Sequence, residues 1–180
     1  MPIKPALKRF VVSLPLTLTS ILGNAENLIS IPTAEGCHVQ VLINITEQFQ
    51  WSGSCVNGFT SGTGTLIQKL RNGHTVSQTG TMVNGLFEGP ATEVFDNGGK
   101  VTGTFLHGHI TEGEVTAPNG TIYSGHFGNR GLPNGFGTLT LTDGQKFSGN
   151  WTNGALYNQK GELLIQFPAK AGATAKKRTP

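Results

Sequence analysis

Glycine recurs through this chain in phase, and that phasing constrains the fold more than any other feature. Aligned on Gly53, Gly80, Gly103, Gly125 and Gly149, the sequence repeats at spacings of 27, 23, 22 and 24 residues. Five residues after the anchor comes a second glycine, at Gly58, Gly85, Gly108 and Gly154, with Gly131 one position later. Asn precedes it at Asn57, Asn84 and Asn153. Each of the first four units then carries a further turn, at Asn72-Gly73, Asn97-Gly98, Asn119-Gly120 and Asp143-Gly144. Asn-Gly and Asp-Gly are hairpin signals because both central residues of the tight turn take positive φ. The glycines do not fall every third residue, which excludes collagen. With 26 of them in 180 residues, a helical bundle is excluded too, since an interior helical glycine costs about 1 kcal/mol. Glycine, rather than large side chains, fills the apolar quota, which argues against a Leu- and Ile-packed α/β enzyme core.

Around each anchor the pattern has a period of two. Two residues before stand Trp51, Gln78, Val101, Tyr123 and Phe147, and two after stand Cys55, Met82, Phe105, Phe127 and Trp151. In a strand these share a face with the glycine. The gap between two large side chains accommodates an aromatic ring from a neighbouring unit where a β-carbon would clash. Each unit therefore reads as a two-stranded hairpin. A lone hairpin is unstable in water, so the units must stack. The expected fold is all-β: an elongated, single-layer antiparallel sheet of about five stacked β-hairpins over residues 50–167, on the order of 50 Å long. Residues 26–49 are expected to cap one edge of it as a strand, in which Cys37, Val39, Val41, Ile43 and Ile45 share a face. A turn near Thr46–Gln48 then returns Phe49–Cys55 alongside. Gly161–Phe167 is expected to cap the other edge.

The ends of the chain read differently from its body. Met1–Arg9 is basic, Phe10–Gly23 is apolar and uncharged, and Gly23-Asn24-Ala25 offers small residues at a cleavage position. Residues 1–25 thus read as a secretory signal peptide, with an uncleaved anchor as the other reading; the apolar run falls short of the ~20 residues a span needs. Residues 168–180 hold Lys170, Lys176, Lys177 and Arg178 and no large apolar side chain, so they read as a disordered basic tail. The formal charge of +3 comes from these ends: between Glu26 and Pro168 there are six basic residues against all ten acidic ones. No basic face for nucleic acid is expected. Cys37 and Cys55 are the only cysteines. An even count in an exported chain points to a disulfide; in a reducing compartment they would be buried thiols.

The units resemble MORN repeats (membrane occupation and recognition nexus), whose pattern is roughly aromatic-x-Gly-x-aromatic followed by spaced glycines and a Gly turn. Tyr123-Ser-Gly125-His-Phe127, running on to Gly135-Phe-Gly137 and Asp143-Gly144, fits best. Trp51-Ser-Gly53-Ser-Cys55 and Phe147-Ser-Gly149-Asn-Trp151 fit with departures, and the two middle units are degenerate, with Gln78 and Val101 in the aromatic place. The exported, cysteine-bearing form resembles bacterial envelope proteins with such repeats. The resemblance implies a scaffold or interaction surface. Membrane or phosphoinositide binding is attributed to some members, and catalysis, where present, lies in a separate domain.

Individual motifs add little chemistry. His107 and His109 stand at strand spacing, but two imidazoles are too few for a tight zinc site, and His107 takes the place that Asn holds before glycine elsewhere. Glu112 and Glu114 pair as glycoside hydrolysis requires, with no cleft evident. No Gly-x-Ser-x-Gly elbow or Walker loop occurs. Asn44, Asn119 and Asn150 lie in glycosylation sequons. The row Trp51, Tyr123, Phe147 and Trp151 reads either as inter-repeat packing or as an aromatic binding face for a peptide or glycan. The expected function is therefore an exported, secreted or periplasmic scaffold. It has no catalytic residue, metal or cofactor and binds a protein partner; the alternative is a binder of anionic lipid or wall polymer through the basic tail and aromatic face.

Overall fold

A computed structural model describes residues 28–41, 46–128 and 130–167. The expected signal peptide, the basic tail, Ile43, Ile45 and the Asn44 sequon lie outside the described residues.

Fourteen strands form among the described residues, joined in one sheet. The repeat array runs β5 (Phe59–Leu70), β6 (Thr75–Val83), β7 (Leu86–Phe95), β8 (Lys100–Leu106), β9 (His109–Thr116), β10 (Ile122–Phe127), β11 (Pro133–Thr140) and β12 (Lys146–Thr152). Each pairs antiparallel with the next. β13 (Ala155–Tyr157) and β14 (Leu163–Gln166) continue the order and end it. Before them come β1 (Ile29–Pro32), β2 (His38–Val41), β3 (Thr46–Trp51) and β4 (Ser54–Val56). The expected all-β stack of hairpins is the fold.

Two turn geometries alternate along the stack, and only one is the tight form expected of every Asn-Gly. At Asn57-Gly58, Asn84-Gly85, His107-Gly108 and Asn153-Gly154 both residues have positive φ, 48–51° at the first and 78–83° at the second. That twist matches the strands they join. At Asn72-Gly73, Asn97-Gly98, Asn119-Gly120 and Asp143-Gly144 only the glycine does. There the Asn or Asp side chain accepts the backbone N–H two residues on, at 2.9–3.1 Å. The chain closes through paired bonds such as Leu70 N–H to the His74 carbonyl (2.8 Å) and Gly73 N–H to the Leu70 carbonyl (3.0 Å). This is a three-residue loop ending in a left-handed glycine. Gly131 stands one place late because the fourth unit uses that wider loop, between Gly128 and Leu132, in place of a tight turn.

The N-terminal segment departs from expectation. Thr46–Gln48 is not a turn, and Phe49–Cys55 does not return beside β2. β3 pairs with the C-terminal half of β5 (Trp51 opposite Leu66) and β4 with its start (Cys55 opposite Thr60). The two are halves of one strand, broken at Ser52-Gly53. Hairpin β1–β2 touches β5 by a single parallel pair, His38 with Phe59. It lies across the end of the sheet that carries the tight turns, bonded through Gln40 N–H to the Gly85 carbonyl (3.0 Å) and His38 N–H to the Gly58 carbonyl (2.8 Å). The outer edge of β3 is met by a loop rather than a strand. Ala34 N–H donates to the Phe49 carbonyl (2.8 Å), and Trp51 N–H donates to the Glu35 carboxylate (2.9 Å). That removes donors and acceptors which would otherwise invite another strand.

The core lies on one face of the sheet. It joins Val39, Phe49, Trp51, Leu66, Met82, Phe87, Phe105, Ile110, Tyr123, Phe127, Leu139, Trp151, Leu156 and Ile165 in one cluster. A line of small residues crosses that face strand by strand: Gly64, Gly80, Ala91, Gly103, Gly113, Gly125, Gly137 and Gly149, each opposite the next.

Candidate functional site

The glycine line explains where the expected aromatic row sits. Trp51 folds over Gly53 and Gly64, and a β-carbon on Gly64 would lie 2.7 Å from the indole. Tyr123 folds over Gly125 and Gly137 in the same way. At Gly53 and Gly125 the covering ring thus belongs to the anchor's own unit, not to a neighbour, because the large residue two before leans along its strand onto the glycine; Gly80, Gly103 and Gly149 are met instead by Ala91, Ile110 and Leu156 of the next strand. Trp151 donates its indole N–H to the Gly137 carbonyl at 3.1 Å, and its ring meets Tyr123 edge-on at 5.3 Å. Trp51, Tyr123 and Trp151 are buried, Tyr123 completely, and Phe147 is half-buried. These four residues pack the core and do not present the open aromatic face considered from sequence.

The opposite face is open and hydroxyl-rich. Each core glycine is flanked in sequence by two residues that point outward. Across the strands they fall into register as Thr65, Thr79, Thr92, Thr102, Glu114, Ser124, Thr138 and Ser148. Neighbouring hydroxyls bond in pairs: Thr63 with Thr81 at 3.2 Å, Thr65 with Thr79 at 3.0 Å and Thr138 with Ser148 at 2.8 Å. A register shift after Gly80 leaves a shallow depression of about 400 Å³ beside Pro90, lined by Thr79, Thr92, Thr102 and Thr104. Apolar side chains stand among the hydroxyls, with Ile67 40% exposed, Val94 46% and Phe136 62%. Sequence reasoning missed this face because it followed the residues two away from each glycine; the signal was in the residues one away.

Cys37 and Cys55 are bonded, as their even count suggested, with Cα atoms 5.7 Å apart. The bond fixes the start of β2 to β4 and so holds the β1–β2 hairpin in place. Between that hairpin and the sheet lies a cavity of about 230 Å³. Leu28, Val39 and Val41 roof it, Phe49, Leu66, Met82 and Phe87 form an apolar floor, and Gln68 and Gln78 also line it.

Glu93 projects from β7 into the core-face row between Gln78 and Val101. Burial there pushes its carboxyl up to about 7. Burial likewise pushes the Tyr123 phenol up to about 12. The Trp51 N–H holds the Glu35 carboxyl below its ordinary range. His107 and His109 are not a strand-spaced pair: His107 sits in the turn at φ 51°, with its imidazole 2.8 Å from the Glu88 carboxylate. Glu112 and Glu114 are exposed on the outer face. Among the described residues no group of three or more His, Cys, Asp or Glu side chains is placed to hold a metal ion.

The family profile of the MORN repeat matches residues 79–100 and 123–146. The first match spans β6, β7 and the start of β8; the second spans β10, β11 and the start of β12. No curated protein matches the chain significantly. The profile at both stretches and the hairpin stack that joins them show that this chain carries MORN repeats there.

Proposed function

We propose that this chain is an exported, non-catalytic scaffold that holds a protein partner on the outer face of its sheet. The observation that carries the reading is Phe136, an aromatic ring 62% exposed on the outer face of β11, opposite Asn150 and beside the Thr138–Ser148 hydroxyl pair. Aromatic anchors within a polar surround are what protein interfaces use. Lys100, Lys146, Glu112 and Glu114 give the face both signs of charge, which suits a protein better than a uniformly anionic lipid surface. The Cys37–Cys55 bond supports export, since disulfides persist in oxidising compartments.

The test is cross-linking in the native host through an internal tag in the Asn72-Gly73 turn, with mass spectrometry of the captured material. One dominant protein, lost in a Phe136→Glu variant of unchanged melting temperature, is the expected result. Recovery of lipid or wall polymer alone, lost at high salt or on deleting residues 169–180, would overturn it in favour of the basic tail.

A further inference from the structure

The cavity beneath the β1–β2 hairpin is a second, independent site, which lies on the core face and does not rest on the outer-face reading. Its floor is apolar except where Gln68 on β5 and Gln78 on β6 meet, with the Gln68 amide N–H donating to the Gln78 carbonyl. Gln40, His107 and His109 also line it; the Gln40 amide donates to the Asn84 carbonyl (2.7 Å) and the His107 imidazole lies against the Glu88 carboxylate (2.8 Å). The Gln68–Gln78 bond leaves over the carbonyl of Gln68 and the NH2 group of Gln78. If both amides are turned round, the bond survives and the remainder is again one carbonyl and one NH2. Either way the pair offers an acceptor and a donor side by side on the floor formed by Phe49, Leu66, Met82 and Phe87. A carboxylate satisfies only the donor and sets its charge against a carbonyl oxygen. An ester likewise has no N–H for the acceptor. A carboxamide satisfies both.

We infer that this cavity binds a small aliphatic carboxamide, with the alkyl part on Phe49, Leu66, Met82 and Phe87 and the amide on the Gln68–Gln78 pair. Pockets of this kind combine an apolar lining with a few convergent polar groups that set orientation. A site built to bond a polar group rejects the analogue that lacks it, because its own polar atoms are then left unpaired. The roof is held by the Cys37–Cys55 bond, so occupancy also depends on the oxidised protein.

The test is titration of the oxidised protein with isocaproamide, followed by NMR of the glutamine side-chain NH2 resonances. Saturable shifts at Gln68 and Gln78 are expected. The methyl ester and the carboxylate of the same skeleton should bind about tenfold more weakly, the loss expected for one unmade hydrogen bond. Gln78→Met keeps the length of the side chain and removes the amide; it should bind the amide and the ester alike. Gln68→Met serves the same purpose should Gln78→Met fail to fold. Reduction with dithiothreitol should abolish the shifts. Absence of saturable binding, equal affinity for amide and ester in the unaltered protein, or unchanged selectivity in the glutamine variants would each overturn the assignment.

Discussion

Glu93 is the residue most at odds with its surroundings. It stands in a row of core-face side chains, and burial pushes its carboxyl up to about 7. Between the ordinary carboxylate range and that value, the folded protein keeps a proton that the unfolded chain has released. Stability is therefore highest while Glu93 is protonated, and it falls as pH rises toward and through 7. Urea denaturation at pH 5 and pH 8 should show Glu93→Gln gaining about 2 kcal/mol over the unaltered protein at the higher pH and little at the lower. Gly137 makes the converse point. A β-carbon there would meet the Tyr123 ring, which is wholly buried and has no room to retreat. Gly137→Ala should cost about 2–3 kcal/mol by denaturant midpoint, as overpacking does. The sequence marked Gly125, two after Tyr123, as a gap for a ring; that Tyr123 itself covers Gly137 follows only from the β10–β11 register, in which Gly125 faces Gly137. Glu93 was not legible in the sequence, because nothing in its neighbourhood says which face of β7 is buried until the register with β6 and β8 is fixed.

At the scale of the element, the turns divide by chemistry. Asn-Gly pairs look alike in sequence, yet those at 57, 84 and 153 form tight turns with two left-handed residues, those at 72, 97 and 119 form loops with one, and Asn134-Gly135 lies within β11. The difference lies in what the Asn does. In the tight turns its backbone accepts positive φ; in the loops its side chain accepts a backbone N–H. Aspartate suits the second role, and Asp143 occurs only there. Asp143→Ala should thus lose about 1 kcal/mol by giving up the bond to Gln145 N–H. Asn153→Ala should lose about 1–2 kcal/mol by placing a β-carbon in a left-handed backbone. Thermal melts of the two variants, with Asn153→Gly nearly restoring the latter, check the assignment. The hairpin stack was legible in the sequence because glycine phasing and period-two alternation agree on it. The N-terminal hairpin was not. Alternation identified a strand at Val39 and Val41, but its partner is set by three-dimensional contacts at Gly58 and Gly85 that no local pattern encodes.

For the whole molecule, the decisive asymmetry is between two faces. One is closed over a glycine line by the chain's own rings, with the β1–β2 hairpin covering the end nearest the tight turns. The other is left to solvent as rows of hydroxyls broken by Phe136, Val94 and Ile67. The Cys37–Cys55 bond closes a loop of 18 residues. Removing it by Cys55→Ser should cost about 3 kcal/mol, measured by urea melts under non-reducing conditions. A partner that needs the rings must displace core packing; a partner that needs the hydroxyl face finds it already exposed. The measurement that separates these most directly is site-specific photo-cross-linking in the native host, with the photoreactive residue placed at Thr92 on the outer face or at Val101 on the core face. Adducts to one protein from Thr92, and none from Val101, are the predicted result. Adducts from Val101 with Thr92 silent would contradict it and would place the interaction on the face assigned here to folding.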